Sequence, residues 1–393
     1  MPPFLPYGRQ LIEDDDIAAV AEVLRSDVLT TGPAVAAFEG DLAAAVGAAH
    51  AVACANGTAA LHLTALALGL GPGDRVVVPA VTFVATANAA RFVGAEVVFA
   101  DVDPATGLMT PATLAEAMAR AGGPVKAAYP VHLNGQTVDI AALAQACPGL
   151  ALVEDACHAL GSRTGAGPTG NGAHSAMTVF SFHPVKTVCM GEGGAVTTND
   201  PTLAALVAKL RGHGISREAG AFRHPDEAFA ASGEANPWYY EMQELGFNYR
   251  VPDVLCALGR SQLAKLPRFA AARRSLAARY DRLLEPLAPR VRPIAKVPGC
   301  EPVLHLYVVK IDFAAAGLSR AEVMTGLRAR GIGSQVHYLP VNRQPYYVER
   351  YGQQSLPGAD AYYAGCLSLP LFPGMAEDDP DRVVEALSEI LGP

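Results

Sequence analysis

Residues 150–200 constrain this chain more than any other stretch. The apolar run 150–153 reads as a buried strand and delivers Glu154 and Asp155 at its carboxyl end. A second run, 177–180, gives way to Ser181, Phe182, His183, Pro184, Val185 and Lys186. Gly191, Glu192, Gly193 and Gly194 then turn the chain into a third run, 195–198. In an open α/β sheet ligands sit beyond the carboxyl ends of the strands, so an acid after one strand and a hydroxyl and an amine after the next can converge there. Pyridoxal 5'-phosphate needs those groups: an amine to carry it, an acid facing its pyridine nitrogen and neutral donors around its phosphate. Lys186, Asp155 and Ser181 meet the three needs. Singly, each has a plainer reading, since most lysines are solvated, most strand-end acids are exposed and serines populate turns.

A chain of 393 residues is long for one core and suits a large domain, 1–250, with a smaller one, 251–393. With 51% hydrophobic and 17% charged residues it reads as ordered and enzyme-like rather than disordered. A net charge of -8 argues against a general nucleic-acid binder, so any anion site must be built locally. No secretory signal is expected from the first residues, and no apolar run is long enough to span a bilayer. The seven cysteines are scattered and never form a CxxC pair, which fits reduced thiols in a cytoplasmic protein. Cys157-His158 lacks companions at ligand spacing, so no metal site is expected.

Strands are expected at 75–79, 96–100, 125–130, 150–153, 177–180 and 195–198, with helices near 84–93, 111–121 and 139–146. That alternation predicts a mostly parallel sheet covered by helices on both faces. Before it, 9–25 patterns as an amphipathic helix with acids 13–16 at the positive end of its dipole, and 34–46 as another helix. Asn56, Gly57 and Thr58 open an Ala/Leu-rich helix, capped by Asn56 or Thr58. Its first turn is where a phosphate would bind most readily, although most capped helices bind nothing. Gly69, Gly71 and Gly73 follow that helix, the reverse of the nucleotide-binding order. Phe83 lies just past a strand, placed either to stack on a flat ring or to fill the core.

The stretch 212–244, with the only tryptophan at Trp238, reads as a lid or subunit contact. A helical region at 251–287, interrupted at Pro267, leads into a smaller α/β unit. There a strand at 303–313 contains His305, Ser319 and Glu322 form a capping box for a helix to Arg330, and a strand at 332–338 ends at His337 and Tyr338. A helix at 380–390 covers the unit.

Seven segments agree with one family: Leu29-Thr30-Thr31-Gly32, Asn56-Gly57-Thr58-Ala59-Ala60-Leu61, Thr82-Phe83-Val84-Ala85-Thr86, Glu154-Asp155-Ala156-Cys157-His158-Ala159-Leu160-Gly161, Phe180-Ser181-Phe182-His183-Pro184-Val185-Lys186, Gly191-Glu192-Gly193-Gly194 and Gly246-Phe247-Asn248-Tyr249-Arg250. Together they resemble the sugar-nucleotide aminotransferases of the DegT/DnrJ/EryC1/StrS family. The resemblance implies an α/β, PLP-dependent transferase fold of type I (aspartate aminotransferase-like), a large domain with a mostly parallel sheet plus a smaller C-terminal α/β domain. It makes Lys186 the lysine that carries pyridoxal 5'-phosphate and Asp155 the partner of the pyridine nitrogen. By the same resemblance His158 neighbours the cofactor ring and its phenolic oxygen, Gly57, Thr58 and Ser181 hold the phosphate, and Phe83 stacks on the ring. Asn248 matches an asparagine that reaches the partner subunit's phosphate, which implies a homodimer with shared active sites. Family members with histidine in place of the lysine dehydrate sugars; Lys186 points to amino transfer.

Residues 237–250 and 335–340 look most like the members that aminate C4 of a UDP-linked 4-keto-6-deoxy-N-acetylhexosamine in pseudaminic acid-type biosynthesis. That likeness makes L-glutamate the amino donor and Tyr7, Asp27, Leu29, Thr30, Gln335, His337 and Tyr338 the substrate contacts. A GDP- or dTDP-linked 4-keto-6-deoxyhexose is the nearest alternative substrate. A PLP-binding regulatory protein without turnover is the alternative of another class; no helix-turn-helix or basic patch supports it.

Overall fold

The computed structural model describes residues 3–392. Its central sheet has seven strands: β1 (His50–Cys54), β2 (Arg75–Pro79), β3 (Glu96–Ala100), β4 (Val125–Ala128), β5 (Ala151–Asp155), β6 (Met177–Ser181) and β7 (Gly194–Thr198). Their order across the sheet is β1-β7-β6-β5-β4-β2-β3. Strands β2 to β6 pair in parallel, and β7 runs antiparallel to both β6 and β1. The parallel strands are short and apolar because helices cover both faces; Val76, Val77 and Val78 are wholly buried. The helices Val84–Phe92, Pro111–Arg120 and Ile140–Ala146 fall where the alternation predicts them. Strand β4 ends at Ala128, short of the expected 130, and Pro130 has no N–H to give a ladder.

Strand β5 runs two residues further than the apolar run and takes both acids into the sheet. Successive side chains on a strand face opposite ways, so Glu154 and Asp155 are separated. Glu154 turns to buried His132, whose Nε2 lies 2.7 Å from Oε2, and accepts from Thr178 Oγ1 at 3.1 Å. Asp155 turns to the cavity described below.

Three antiparallel strands, β8 (Val291–Pro293), β9 (Tyr307–Ile311) and β10 (Cys366–Leu369), form the smaller sheet. Tyr307, Val309 and Ile311 face a core of their own, whereas Leu306 and Val308 pack on the core of the large sheet. The small sheet thus holds the two lobes together through period-two alternation. Val251, Cys256 and Leu263 pack with Phe38 and Phe182, but Leu276, Ala277, Tyr280 and Leu284 join the smaller core. The change of core therefore falls inside the helix Leu266–Leu284 rather than at residue 250. Leu5 also belongs to the smaller core and bridges to Ile332.

Two expected strands differ from the structure. The strand at 303–313 contracts to β9, leaving His305 ahead of it. Residues 332–338 form no strand: Ile332 bridges to Leu5, Gln335 to Ser368, and the ladder stops there. The chain leaves the edge of β10 after Gln335, and Val336, His337 and Tyr338 instead wall a cavity. In 212–244 a two-stranded ribbon pairs Ile215–Ser216 with Glu241–Met242. Its anchor is the Glu241 carboxylate, which accepts the backbone N–H groups of Arg223 and His224. Trp238, Tyr240, Met242 and Leu245 are exposed on this chain. Among the described residues no helix is long and apolar enough to cross a membrane.

Candidate active site

A cavity of about 620 Å³ lies beyond the carboxyl ends of β5 and β6, closed on its far side by residues 335–338. At its floor Asp155 is held by two donors. Thr86 Oγ1 gives a 2.7 Å hydrogen bond to Oδ2, and the backbone N–H of Cys157 donates to Oδ1 at 3.2 Å. Thr86 has one hydroxyl proton, so the 2.8 Å contact between Thr82 and Thr86 has Thr82 as donor. This chain of hydroxyls fixes the carboxylate's direction.

Lys186 lies on the loop after β6, where its backbone N–H donates to the His183 carbonyl at 2.8 Å in a turn. Burial pushes its amine below the usual lysine range, opposed by Cys157 and Asp155. An amine so shifted is more readily available as a nucleophile and base than a solvated lysine.

One end of the cavity is made by the first turn of the helix Gly57–Ala67. The Asn56 side chain caps it by accepting from the Ala59 N–H at 2.8 Å, which leaves the first-turn N–H groups at Gly57 and Thr58 without helical partners. A Cβ at Gly57 would lie 2.9 Å from Ser181 Cβ and 3.4 Å from Cys157 Sγ. Only glycine lets the helix terminus approach the end of β6 this closely. Phe83 stands at the cavity's rim, 56% exposed, with its ring 6.0 Å from that of Tyr338.

The opposite wall holds Tyr7, Gln335, His337 and Tyr338. The Tyr7 and His337 rings are 5.5 Å apart, and His337 Nδ1 is 2.8 Å from Ser368 Oγ. Burial, with the Lys186 charge, pushes the His337 imidazole down to about 3. The same two causes, and His337 itself, hold His158 well below the usual histidine range. Burial raises the Tyr338 phenol, as does the Asp155 charge. The wall therefore presents neutral rings.

Eleven of the residues expected from sequence line this one cavity: Tyr7, Gly57, Thr58, Phe83, Asp155, His158, Ser181, Lys186, Gln335, His337 and Tyr338. Asp27, Leu29, Thr30 and Asn248 do not; all four are exposed on the surface of this chain. Sequence reasoning missed Thr86, His183 and Glu192, which also line it. Thr86 lies inside a matched segment, but nothing in a helical threonine signals an acid 69 positions later in the chain.

The donor set fits pyridoxal phosphate: a buried amine, an oriented carboxylate, an open helix terminus beside a serine, and a ring at the rim. The volume also suits a small-molecule site. The model of the DegT/DnrJ/EryC1/StrS aminotransferase family matches residues 10–388. The chain is 38% identical to the spore coat polysaccharide biosynthesis protein SpsC of Bacillus subtilis, over 99% of this chain and 97% of that one. It superposes on Helicobacter pylori PseC, an aminotransferase involved in the biosynthesis of pseudoaminic acid, with a TM-score of 0.89, 26% identity and 99% of each chain covered. It also superposes on the PLP form of the putative sugar aminotransferase Spr1654 from Streptococcus pneumoniae, with a TM-score of 0.86, 26% identity, and 99% and 98% of the two chains covered. With the family model spanning almost the whole chain, this protein belongs to the DegT/DnrJ/EryC1/StrS aminotransferase family and is a PLP-dependent sugar aminotransferase.

Proposed function

We propose that the enzyme moves an amino group from L-glutamate to C4 of a UDP-linked 4-keto-6-deoxy-N-acetylhexosamine, in amino-sugar biosynthesis of the pseudaminic acid type. The observation that carries this reading is the superposition on Helicobacter pylori PseC over 99% of both chains. In this reading the enzyme is a cytoplasmic homodimer, and Asn248 serves the partner subunit's phosphate site. Asp27, Leu29 and Thr30 meet the nucleotide sugar only in the dimer, which accounts for their lying outside the cavity lining of a single chain.

When bound, pyridoxal phosphate supplies an electron sink for a carbanion. Lys186 would hold it covalently, Asp155 through the pyridine nitrogen, and Gly57, Thr58 and Ser181 through the phosphate. The free amine of Lys186 would take the α-proton of glutamate at Nζ, since its lowered basicity leaves it unprotonated more readily than a solvated lysine. Thr86 holds the direction of Asp155, whose carboxylate would face the ring nitrogen of the bound cofactor and favour its protonated form. The neutral wall of Tyr7, His337 and Tyr338 accepts an uncharged sugar ring without burying a further charge.

The test is a panel of UDP-, GDP- and dTDP-linked 4-keto-6-deoxy sugars, each supplied with glutamate, with release of 2-oxoglutarate and of the amino sugar followed together. Fastest turnover on the UDP-linked N-acetylhexosamine is expected. Preference for a GDP- or dTDP-linked hexose would replace this substrate with that one.

A further inference from the structure

Asn134 sits wholly buried in the left-handed region, at φ 62° and ψ 1°, which asparagine enters more readily than most residues other than glycine. The conformation is held from three sides. Its Nδ2 donates to Tyr362 Oη at 3.1 Å, its carbonyl accepts the His305 N–H at 3.0 Å, and its own N–H points at His158 Nδ1, 3.3 Å away. These contacts fix the direction of the Asn134 N–H.

A backbone N–H can only donate, so His158 Nδ1 carries no proton. The groups facing the His158 ring are His305, 4.5 Å away between ring centres, Tyr338, and the Lys186 and His337 side chains. None of these is an anion that would favour an imidazolium. A neutral ring with a bare Nδ1 has its hydrogen on Nε2, which lies 3.2 Å from Tyr338 Oη. The tyrosine oxygen therefore accepts from His158. Its own hydrogen has no other partner among the described residues, and the side chain lines the cavity.

We propose that His158 is a positioning residue, locked by the Asn134 N–H as the Nε2-protonated tautomer, and that it turns the Tyr338 hydroxyl into a hydrogen-bond donor for an oxygen bound in the cavity. The other tautomer would reverse the pair: Tyr338 would donate to Nε2 and offer the cavity only lone pairs. A backbone turn 24 residues before His158 thus decides the polarity of a hydroxyl 180 residues after it. A donor aimed at an oxygen stabilises negative charge that develops there. The proposal rests on the active site assigned above, but its first test reads the free protein and is independent of any sugar.

In full-length enzyme with ¹⁵N-labelled histidine, measured with and without pyridoxal phosphate, His158 is expected to show a bare Nδ1 and a protonated Nε2 throughout the range of about pH 5 to 8. A protonated Nδ1 or an imidazolium in that range overturns the proposal. Tyr338→Phe then identifies the acceptor. If it is the cofactor's phenolic oxygen, the midpoint of the holoenzyme's absorbance titration moves up in the absence of sugar. If it is the keto oxygen of the sugar, that midpoint stays and the sugar half-reaction slows about ten- to a hundredfold, by more than the glutamate half-reaction does. His158→Gln, which keeps a donor and an acceptor, is expected to recover most of the loss seen in His158→Leu. No change in either Tyr338→Phe measurement, or a glutamine variant as impaired as the leucine one, overturns the assignment.

Discussion

At the scale of single residues the proposed site rests on one amine, Lys186, and one oriented carboxylate, Asp155. Lys186→Ala is expected to abolish both turnover and the protein-bound adduct trapped by borohydride, read by mass spectrometry of the intact chain. Normal turnover in that variant would remove the lysine from its role. Thr86 tests the orientation of Asp155. Thr86→Val keeps the shape but deletes the 2.7 Å donor to a buried carboxylate, a hydrogen bond to a charged group worth about 1.5–3 kcal/mol. A fall in kcat/KM of tenfold or more is expected, with Thr86→Ser close to the parent. If valine and serine behave alike, the hydroxyl does not direct Asp155. Thr86 could not be read from sequence, because the pairing spans a helix and a strand that only the sheet order brings together.

Among the elements, the join between the helix Gly57–Ala67 and the end of β6 matters most. Gly57 is in the first turn of that helix, where alanine would raise helix propensity by up to about 1 kcal/mol. Yet the added Cβ would meet Ser181 Cβ at 2.9 Å, so the helix terminus or the strand end must shift. Gly57→Ala is expected to weaken binding of pyridoxal phosphate about tenfold, measured by titration of the apoenzyme, since both displaced parts would face the phosphate in the proposed site. Unaltered cofactor affinity would show that the phosphate lies elsewhere. The segment 332–338 makes a different point. Its apolar alternation reads as a strand, but the edge of β10 offers it only the pairing at Ser368, and its side chains go to the cavity instead. Periodicity states which residues alternate; it does not state whether a neighbour exists.

For the whole molecule, pH and subunit pairing give two further tests. Burial lowers the pKa of His62, and burial with the Lys186 charge lowers those of His158, His305 and His337, all from an ordinary value of 6.5. The unfolded chain then binds more protons than the folded one below about pH 6.5, so stability is full above that value and is lost as pH falls. The loss continues towards about 3, where His337 titrates in the fold. His337 contributes on the order of 1 kcal/mol per pH unit in this window, and the other three histidines add to the loss in the same direction. Thermal melting of the apoenzyme should fall steeply from neutral pH to about pH 5; a flat profile would mean that these rings are open to solvent. If Asn248 serves the partner's site, mixing inactive Lys186→Ala with impaired Asn248→Ala should restore activity, because one site of the mixed dimer is intact. Activity no greater than the sum of the two parents would place Asn248 outside the shared site.

The sequence by itself determined the alternating strands and helices of the large sheet, the capped helix opening at 56–58, and the acid and amine that follow neighbouring strands. Each is a local pattern: a valine run, a cap, a group placed just after a strand. The tertiary structure alone decided what depends on closure over long separations. It set the face of β5 on which Asp155 lies, the Thr86 hydroxyl that aims it, and the turn at Asn134 that fixes His158. It also placed the change of core within the helix Leu266–Leu284. A strand pattern shows that Glu154 and Asp155 face opposite ways, but only the packing of a whole sheet decides which of them meets the cavity.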